Sequence, residues 1–167
     1  MRRSRRSEAK EQDSGKTNPE GTAEALQLRD AHEQKLGSHE RRRALQDKYE
    51  FLHPQDIMHG LMAFGFECGD GWLQILEELF AKIDEIVKRD KLEYFQVVQV
   101  KEKFGGLRVY VHGGNKEISN LITEAEKKAD KICEVCGFAG ETHEIDNWYT
   151  TLCDRCKKKR MERDKDK

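Results

Sequence analysis

Two cysteine pairs, Cys133/Cys136 and Cys153/Cys156, stand sixteen residues apart and constrain this chain more than any other feature. Two residues between thiols let both sulfurs reach one ion. Two such pairs at this separation form the ligand set of a tetrahedral zinc site. Gly137 follows the second thiol, where the backbone of a metal knuckle commonly turns through positive φ. The intervening residues suffice for a short hairpin, with Trp148-Tyr149-Thr150-Thr151-Leu152 as its return strand. Four thiolates leave no coordination position for a catalytic water, so the expected cofactor is one structural Zn2+. A redox or metal-release switch and an iron–sulfur centre are the competing readings. Cys133 follows a helix, where the dipole disfavours a thiolate, and this counts against a thiol–disulfide enzyme. His143, in the intervening loop, is a substitute ligand or an exposed loop histidine.

Charge is unevenly spread. Residues 1–50 carry 12 Lys/Arg against 10 Asp/Glu, residues 157–167 carry 7 against 3, and the stretch between them carries 12 against 19. Nucleic-acid binding draws its affinity from clustered cations. Arg2-Arg3, Arg5-Arg6 and Lys157-Lys158-Lys159-Arg160 supply such clusters at the two ends, and the middle of the chain is acidic. No apolar run reaches the roughly 18 residues of a membrane-spanning helix. The arginine-rich start has no apolar stretch behind it, so it does not read as a secretory signal. The expected location is a reducing cytoplasm with no membrane contact, where CxxC pairs are ligands or redox centres rather than structural disulfides.

With 167 residues and 36% hydrophobic content, the chain has material for one modest domain. Residues 1–48 read as a charged arm, disordered to about residue 22 and helix-prone beyond it, with Gly37-Ser38 as an interruption. Residues 49–132 read as a small α+β domain. In it, Asp70 is placed to cap a helix carrying Trp72, Ile75, Leu76, Leu79, Phe80, Ile83, Ile86 and Val87 on one stripe, with Glu78–Lys82 and Asp84–Lys88 as i,i+4 pairs. Two strand-like runs follow, Phe95 to Lys101 and Leu107 to Val111, joined by a glycine-bearing turn. A second amphipathic helix begins after Asn115 and carries Ile118, Leu121, Ile122, Ala125, Ala129 and Ile132 to the edge of the cysteine array. Residues 133–156 form the zinc ribbon, and residues 157–167 read as a basic disordered tail.

Three other constellations are candidates for chemistry. Lys101, Lys103 and Arg108 surround a glycine turn beside Phe104; this is a cradle for phosphate or nucleic acid, or a hairpin with charged edges. Glu67, Cys68 and Asp70 form a carboxylate pair about a lone thiol. The competing reading is a helix cap beside a small buried residue. His53 and His59 lie near the start of the domain with no motif around them.

These motifs carry a resemblance. Glu67-Cys68-Gly69-Asp70-Gly71-Trp72, then Val98 through Tyr110, then Cys133-Glu134-Val135-Cys136-Gly137 and Thr151-Leu152-Cys153-Asp154-Arg155-Cys156 occur in one order. In this the chain resembles a group of uncharacterised small zinc-ribbon proteins of bacteria and their phages or prophages, over about residues 60–156. That group tends to carry Pro-Gly and basic residues in the cysteine loop. Here the loop runs Phe138-Ala139-Gly140-Glu141-Thr142-His143-Glu144-Ile145-Asp146-Asn147 and is acidic. The resemblance implies a cytoplasmic (for a phage, host-cytoplasmic), zinc-binding protein associated with mobile elements, and implies no activity.

The expected fold is therefore α+β: two amphipathic helices, a β-hairpin and a C-terminal four-cysteine zinc ribbon. The expected function is a non-enzymatic binding protein whose partner is a protein, a modulator of host machinery if phage-encoded. Its recognition surface is expected around Lys101, Lys103, Phe104, Arg108, Trp148 and Tyr149. A nucleic-acid-binding ribbon and an enzyme using Glu67, Cys68 and Asp70 are the alternatives.

Overall fold

A computed structural model describes residues 37–53 and 60–165 of the chain. The expectations for the first 36 residues and for His59 lie outside the described residues. The architecture is α+β, with helices, two antiparallel hairpins and the cysteine cluster near the C-terminus.

The first described helix, α1, covers residues 37–48, and the chain ahead of Gly37-Ser38, where an interruption is expected, lies outside the described residues. It belongs to the folded unit, which the sequence reading began only at Tyr49. Leu45 is buried, and polar side chains do the rest of the docking. The Arg41 fork meets Glu77 with bonds of 2.8 and 2.7 Å. Arg42 places all three of its donor nitrogens in one stretch of chain. Nε donates to Asp70 at 2.5 Å, Nη1 to the Phe66 carbonyl at 2.7 Å and Nη2 to the Cys68 carbonyl at 2.5 Å.

The main helix, α2, spans Leu73–Asp90 after a 3₁₀ turn at Asp70–Trp72. Its apolar stripe is buried as expected, from Trp72 to Ile86, with Val87 half-buried. Asp70 does not cap it: no side chain accepts at that end, because the Asp70 carboxylate is held by Arg42 and Ser38. Asp84 pairs with Lys88 at 2.6 Å, whereas Glu78 reaches across to Lys128 at 2.5 Å. That crossing pair joins α2 to α3, Lys116–Ala129, whose N-terminus is capped by Asn115 Oδ1 accepting from the Ile118 amide at 3.0 Å.

Strands β1, Gln96–Lys103, and β2, Gly106–His112, form the first hairpin. Val97 and Val100 are both fully buried although three residues apart, which a period of two forbids. An irregular register between Val97 and Gln99 inserts one residue and returns Val100 to the core face. Phe104 and Gly105 make the turn, both at positive φ (54° and 76°), the handedness a two-residue hairpin needs. The second hairpin pairs β3, Glu141–Ile145, with β4, Trp148–Leu152. Its turn, Asp146-Asn147, also has positive φ at both residues. The tail expected from residue 157 onward is helical as far as it is described: α4 spans Asp154–Lys165. With no apolar periodicity, it is a helix that sequence patterning cannot reveal. No helix among the described residues is long and apolar enough to cross a membrane.

Candidate metal centre

The sulfurs of Cys133, Cys136, Cys153 and Cys156 all lie within 4.8 Å of one another. The Cys136 and Cys153 sulfurs are 3.6 Å apart, too far for a disulfide. A tetrahedral ion with metal–sulfur bonds of about 2.3 Å requires sulfur separations of about 3.8 Å. The four thiols thus fit a single metal ion. His143 is not among the clustered ligands; its Nδ1 lies 3.3 Å from Lys157 Nζ.

Local structure explains the convergence. After α3 ends, the Cys133 amide donates to the Phe138 carbonyl at 2.7 Å and the Gly137 amide to the Cys133 carbonyl at 2.9 Å, closing the knuckle with Gly137 at φ +76°. Cys153 precedes the first residue of α4, and its carbonyl accepts from the Lys157 amide at 2.9 Å, which places Cys156 in the first helical turn.

The protonation pattern suits a site that must shed protons to a cation. Burial works to raise the Cys136 pKa, but the Phe138 amide and the neighbouring thiols hold it down at about 7. Burial and the same crowding push Cys156 up to about 12, and burial also raises Cys133. Burial thus opposes ionisation of Cys133 and Cys156. A bound dication supplies the charge that lets them ionise.

The centre is clamped to the rest of the fold by the motifs that looked like sites of their own. Gly69 and Gly71 lie flat against the knuckle backbone: a Cβ on either would collide with the Glu134 or the Cys133 carbonyl oxygen. In the space this leaves, the Gly71 amide donates to the Glu134 carbonyl and the buried Trp72 Nε1 to the Ile132 carbonyl, each at 2.8 Å. The β1–β2 turn supports the ribbon from another side. Thr151 Oγ1 donates to the Gly105 carbonyl at 2.6 Å, and the Glu102 carboxylate accepts from the Gly105 amide at 2.6 Å. Glu134 accepts from Thr150 Oγ1 at 2.5 Å, and burial raises its pKa, opposed by that hydrogen bond.

The proposed catalytic trio is otherwise occupied. Asp70 is paired with Arg42, and Glu67 accepts from Gln99 Nε2 at 2.6 Å. Cys68 packs on the core, and burial pushes its thiol up to about 12. Among the described residues no hydrogen bond joins that thiol to a base. Of the hairpin cations, Lys101 and Arg108 are cross-strand partners with Lys103 two residues along on the same face. Lys101 lies over the Tyr110 ring and Lys103 over Phe104, while Arg108 donates to the Leu107 carbonyl at 2.6 Å and lies 3.9 Å from Glu126. Phe104 is 73% exposed, Trp148 58% and Tyr149 45%. Sequence reasoning missed Arg42, Thr150, Thr151 and Glu134. Of the supporting parts, only Gly69 and Gly71, flanking Asp70 just ahead of an apolar helix, left a signal.

Fold and site together define a small α+β domain with a C-terminal cluster of four cysteines that could hold one metal ion. Compared with known protein families, curated proteins and solved structures, the chain matches none of them.

Proposed function

We propose that this chain is a cytoplasmic, non-enzymatic recognition protein whose four thiolates hold one structural zinc ion and whose partner is a protein. Four thiolates in a tetrahedral arrangement suit zinc and offer no open position to a substrate. Iron in the same ligand set would colour the protein, so visible absorbance separates the two metals. In keeping with the mobile-element resemblance, the partner belongs to the host machinery that a phage- or prophage-encoded protein would modulate.

The observation that carries the reading is Phe104. This bulky side chain sits at φ +54°, in a turn position that favours Asn or Gly, and remains 73% exposed. It neither relaxes the turn nor fills the core, and such strain is characteristic of functional surfaces. Tyr149 shares the ribbon face carrying Thr151, the residue that meets the Phe104-Gly105 turn, and Trp148 adjoins the ribbon tip. Exposed Trp and Tyr beside a rigid sheet are the residue types that dominate protein–protein hot spots. Lys101, Lys103 and Arg108 border this surface and supply polar contacts at its rim.

The test is capture of host proteins on immobilised full-length chain, comparing wild type with Phe104→Ala/Trp148→Ala/Tyr149→Ala and with Cys68→Ala. A partner held by wild type and Cys68→Ala but released by the triple variant is the expected result. A partner retained by the triple variant would overturn the assignment of this surface.

A further inference from the structure

The metal centre and the Phe104 turn lie on different hairpins, and buried threonines join them. Strand β4 runs straight into the ligand Cys153, and the amide of Glu134, next to the ligand Cys133, donates to the Thr151 carbonyl at 2.9 Å. Thr150 and Thr151 are both fully buried. Thr151 Oγ1 has one proton, which goes to the Gly105 carbonyl at 2.6 Å, so across 2.9 Å the Thr142 hydroxyl donates to Thr151. Gly105 is seated flat on this pair of strands: a Cβ there would lie 2.9 Å from Thr142 Cγ2 and 3.1 Å from the Thr150 nitrogen. The turn that carries Phe104 therefore rests on the ribbon.

The two hairpins differ in what holds them. The hydrophobic core takes in Val97, Val100, Leu107 and Val109 of the first, and among the described residues it includes none from β3 or β4. Leu152 is buried outside that core, and the other buried residues of β4 are the two threonines. A two-stranded hairpin without an apolar core is marginal in water, and a metal site supplies folding free energy in its place. Phe104 pulls the other way, because a bulky side chain at φ +54° favours release of the turn. These two tendencies meet at the Thr151–Gly105 hydrogen bond.

We propose that the metal gates the aromatic surface. With the ion bound, the ribbon holds Phe104-Gly105 in its strained turn through Thr151; without it, the turn relaxes and Phe104 parts from Tyr149. Thr151 is thereby a positioning residue for recognition. The ion can act in this way because its four ligands come from two segments that meet only in the folded ribbon, so it favours one state over the other. The gating of recognition rests on the assignment of the aromatic surface made above, whereas the tie between metal and turn is read on the chain itself.

The test is amide hydrogen exchange, followed by NMR on the full-length, zinc-loaded chain. Thr151→Val should retain its zinc and exchange the Gly105 amide about 5-fold faster, the factor worth one ordinary hydrogen bond. Thr151→Ser, which keeps the hydroxyl, should restore the wild-type rate. Thr123→Val removes a hydroxyl that donates to the Ser119 carbonyl on α3 and should leave Gly105 unchanged. Chelation of the wild type should speed exchange at Gly105 more than about tenfold, because the hydroxyl and the packing beneath the turn go together. Added zinc should reverse it. Wild-type exchange at Gly105 in Thr151→Val would overturn the proposal, as would a chelated chain whose Glu134 amide exchanges freely while Gly105 stays protected. The chelation arm needs no variant and the variant arm no chelator, so either decides where the other unfolds the chain. A host protein captured equally by chelated and zinc-loaded chain would overturn the gating alone. Full capture by the triple aromatic variant, with Gly105 still answering to zinc, would strike the surface and not the tie.

Discussion

Gly71→Ala adds a single methyl group and should detach the metal ribbon from the domain. The new Cβ would collide with the Cys133 carbonyl oxygen and stand 2.5 Å from the Gly137 nitrogen and 2.8 Å from the Glu134 carbonyl carbon. All three obstacles are backbone, so no side-chain rotation relieves them, and the knuckle must retreat by about 1 Å to regain ordinary contact distances. That retreat breaks the Gly71–Glu134 and Trp72–Ile132 hydrogen bonds, both now 2.8 Å long. Two such bonds contribute about 1 kcal/mol each, and overpacking adds about 1–3 kcal/mol. The expected loss is therefore about 3–5 kcal/mol, a fall in Tm of about 10–15 °C for a domain of this size. Thermal unfolding followed by far-ultraviolet circular dichroism measures it. Gly37→Ala is the matched control: nothing lies within 4 Å of its Cβ position, in a helix, so it should be neutral or mildly stabilising. A Gly71→Ala protein within about 1 kcal/mol of wild type would refute the seam between the glycine turn and the knuckle.

Other perturbations probe separate parts of the account. Arg42→Ala should cost about 2–3 kcal/mol in urea unfolding, because it strips the Phe66 and Cys68 carbonyls and Asp70 of one shared donor group. Arg42→Lys should recover little of that, since an ammonium cannot span three acceptors with the geometry of a guanidinium. Phe104→Asn should raise stability by about 1 kcal/mol by easing the positive-φ turn, while weakening partner capture; a destabilised variant would contradict the strain argument. Cys68 sets an alkaline limit. Its thiol is pushed from 9.0 to about 12 in the fold, so the unfolded chain ionises first and stability falls as pH rises from 9 towards 12. The full effect is about 4 kcal/mol, and Cys68→Ala should flatten that part of the stability–pH curve relative to wild type.

The parts of the fold that obey a period were legible in the sequence. The stripe from Trp72 to Ile86 and the one from Ile118 to Ala129 mark two helices whose apolar faces meet in the core. The cysteine spacing brought the four ligands together on paper before the structure did so in space. What the sequence hid were long-range polar contacts and close approaches. Arg42 stands within a run of three arginines, and nothing local distinguishes the one whose fork reaches residues 24 to 28 positions away. Gly69 and Gly71 stand out just ahead of an apolar helix, but nothing local shows that another segment's backbone lies against them. Asp70 looked like a helix cap because a cap is a local motif, whereas its true partners sit on α1. Helix α4 has no buried stripe at all, so hydrophobic periodicity could not find it.

The central claim, one structural zinc ion held by four thiolates, is tested most directly by metal analysis of the full-length chain. The chain is purified without added metal, and circular dichroism is recorded on the same sample before and after chelation. One zinc per chain, no visible absorbance from iron, and loss of both the metal and the ribbon's cooperative unfolding in Cys136→Ser are the expected results. A chain that holds no metal yet melts identically with and without chelator, or a Cys136→Ser variant that keeps its full equivalent of zinc, would contradict it.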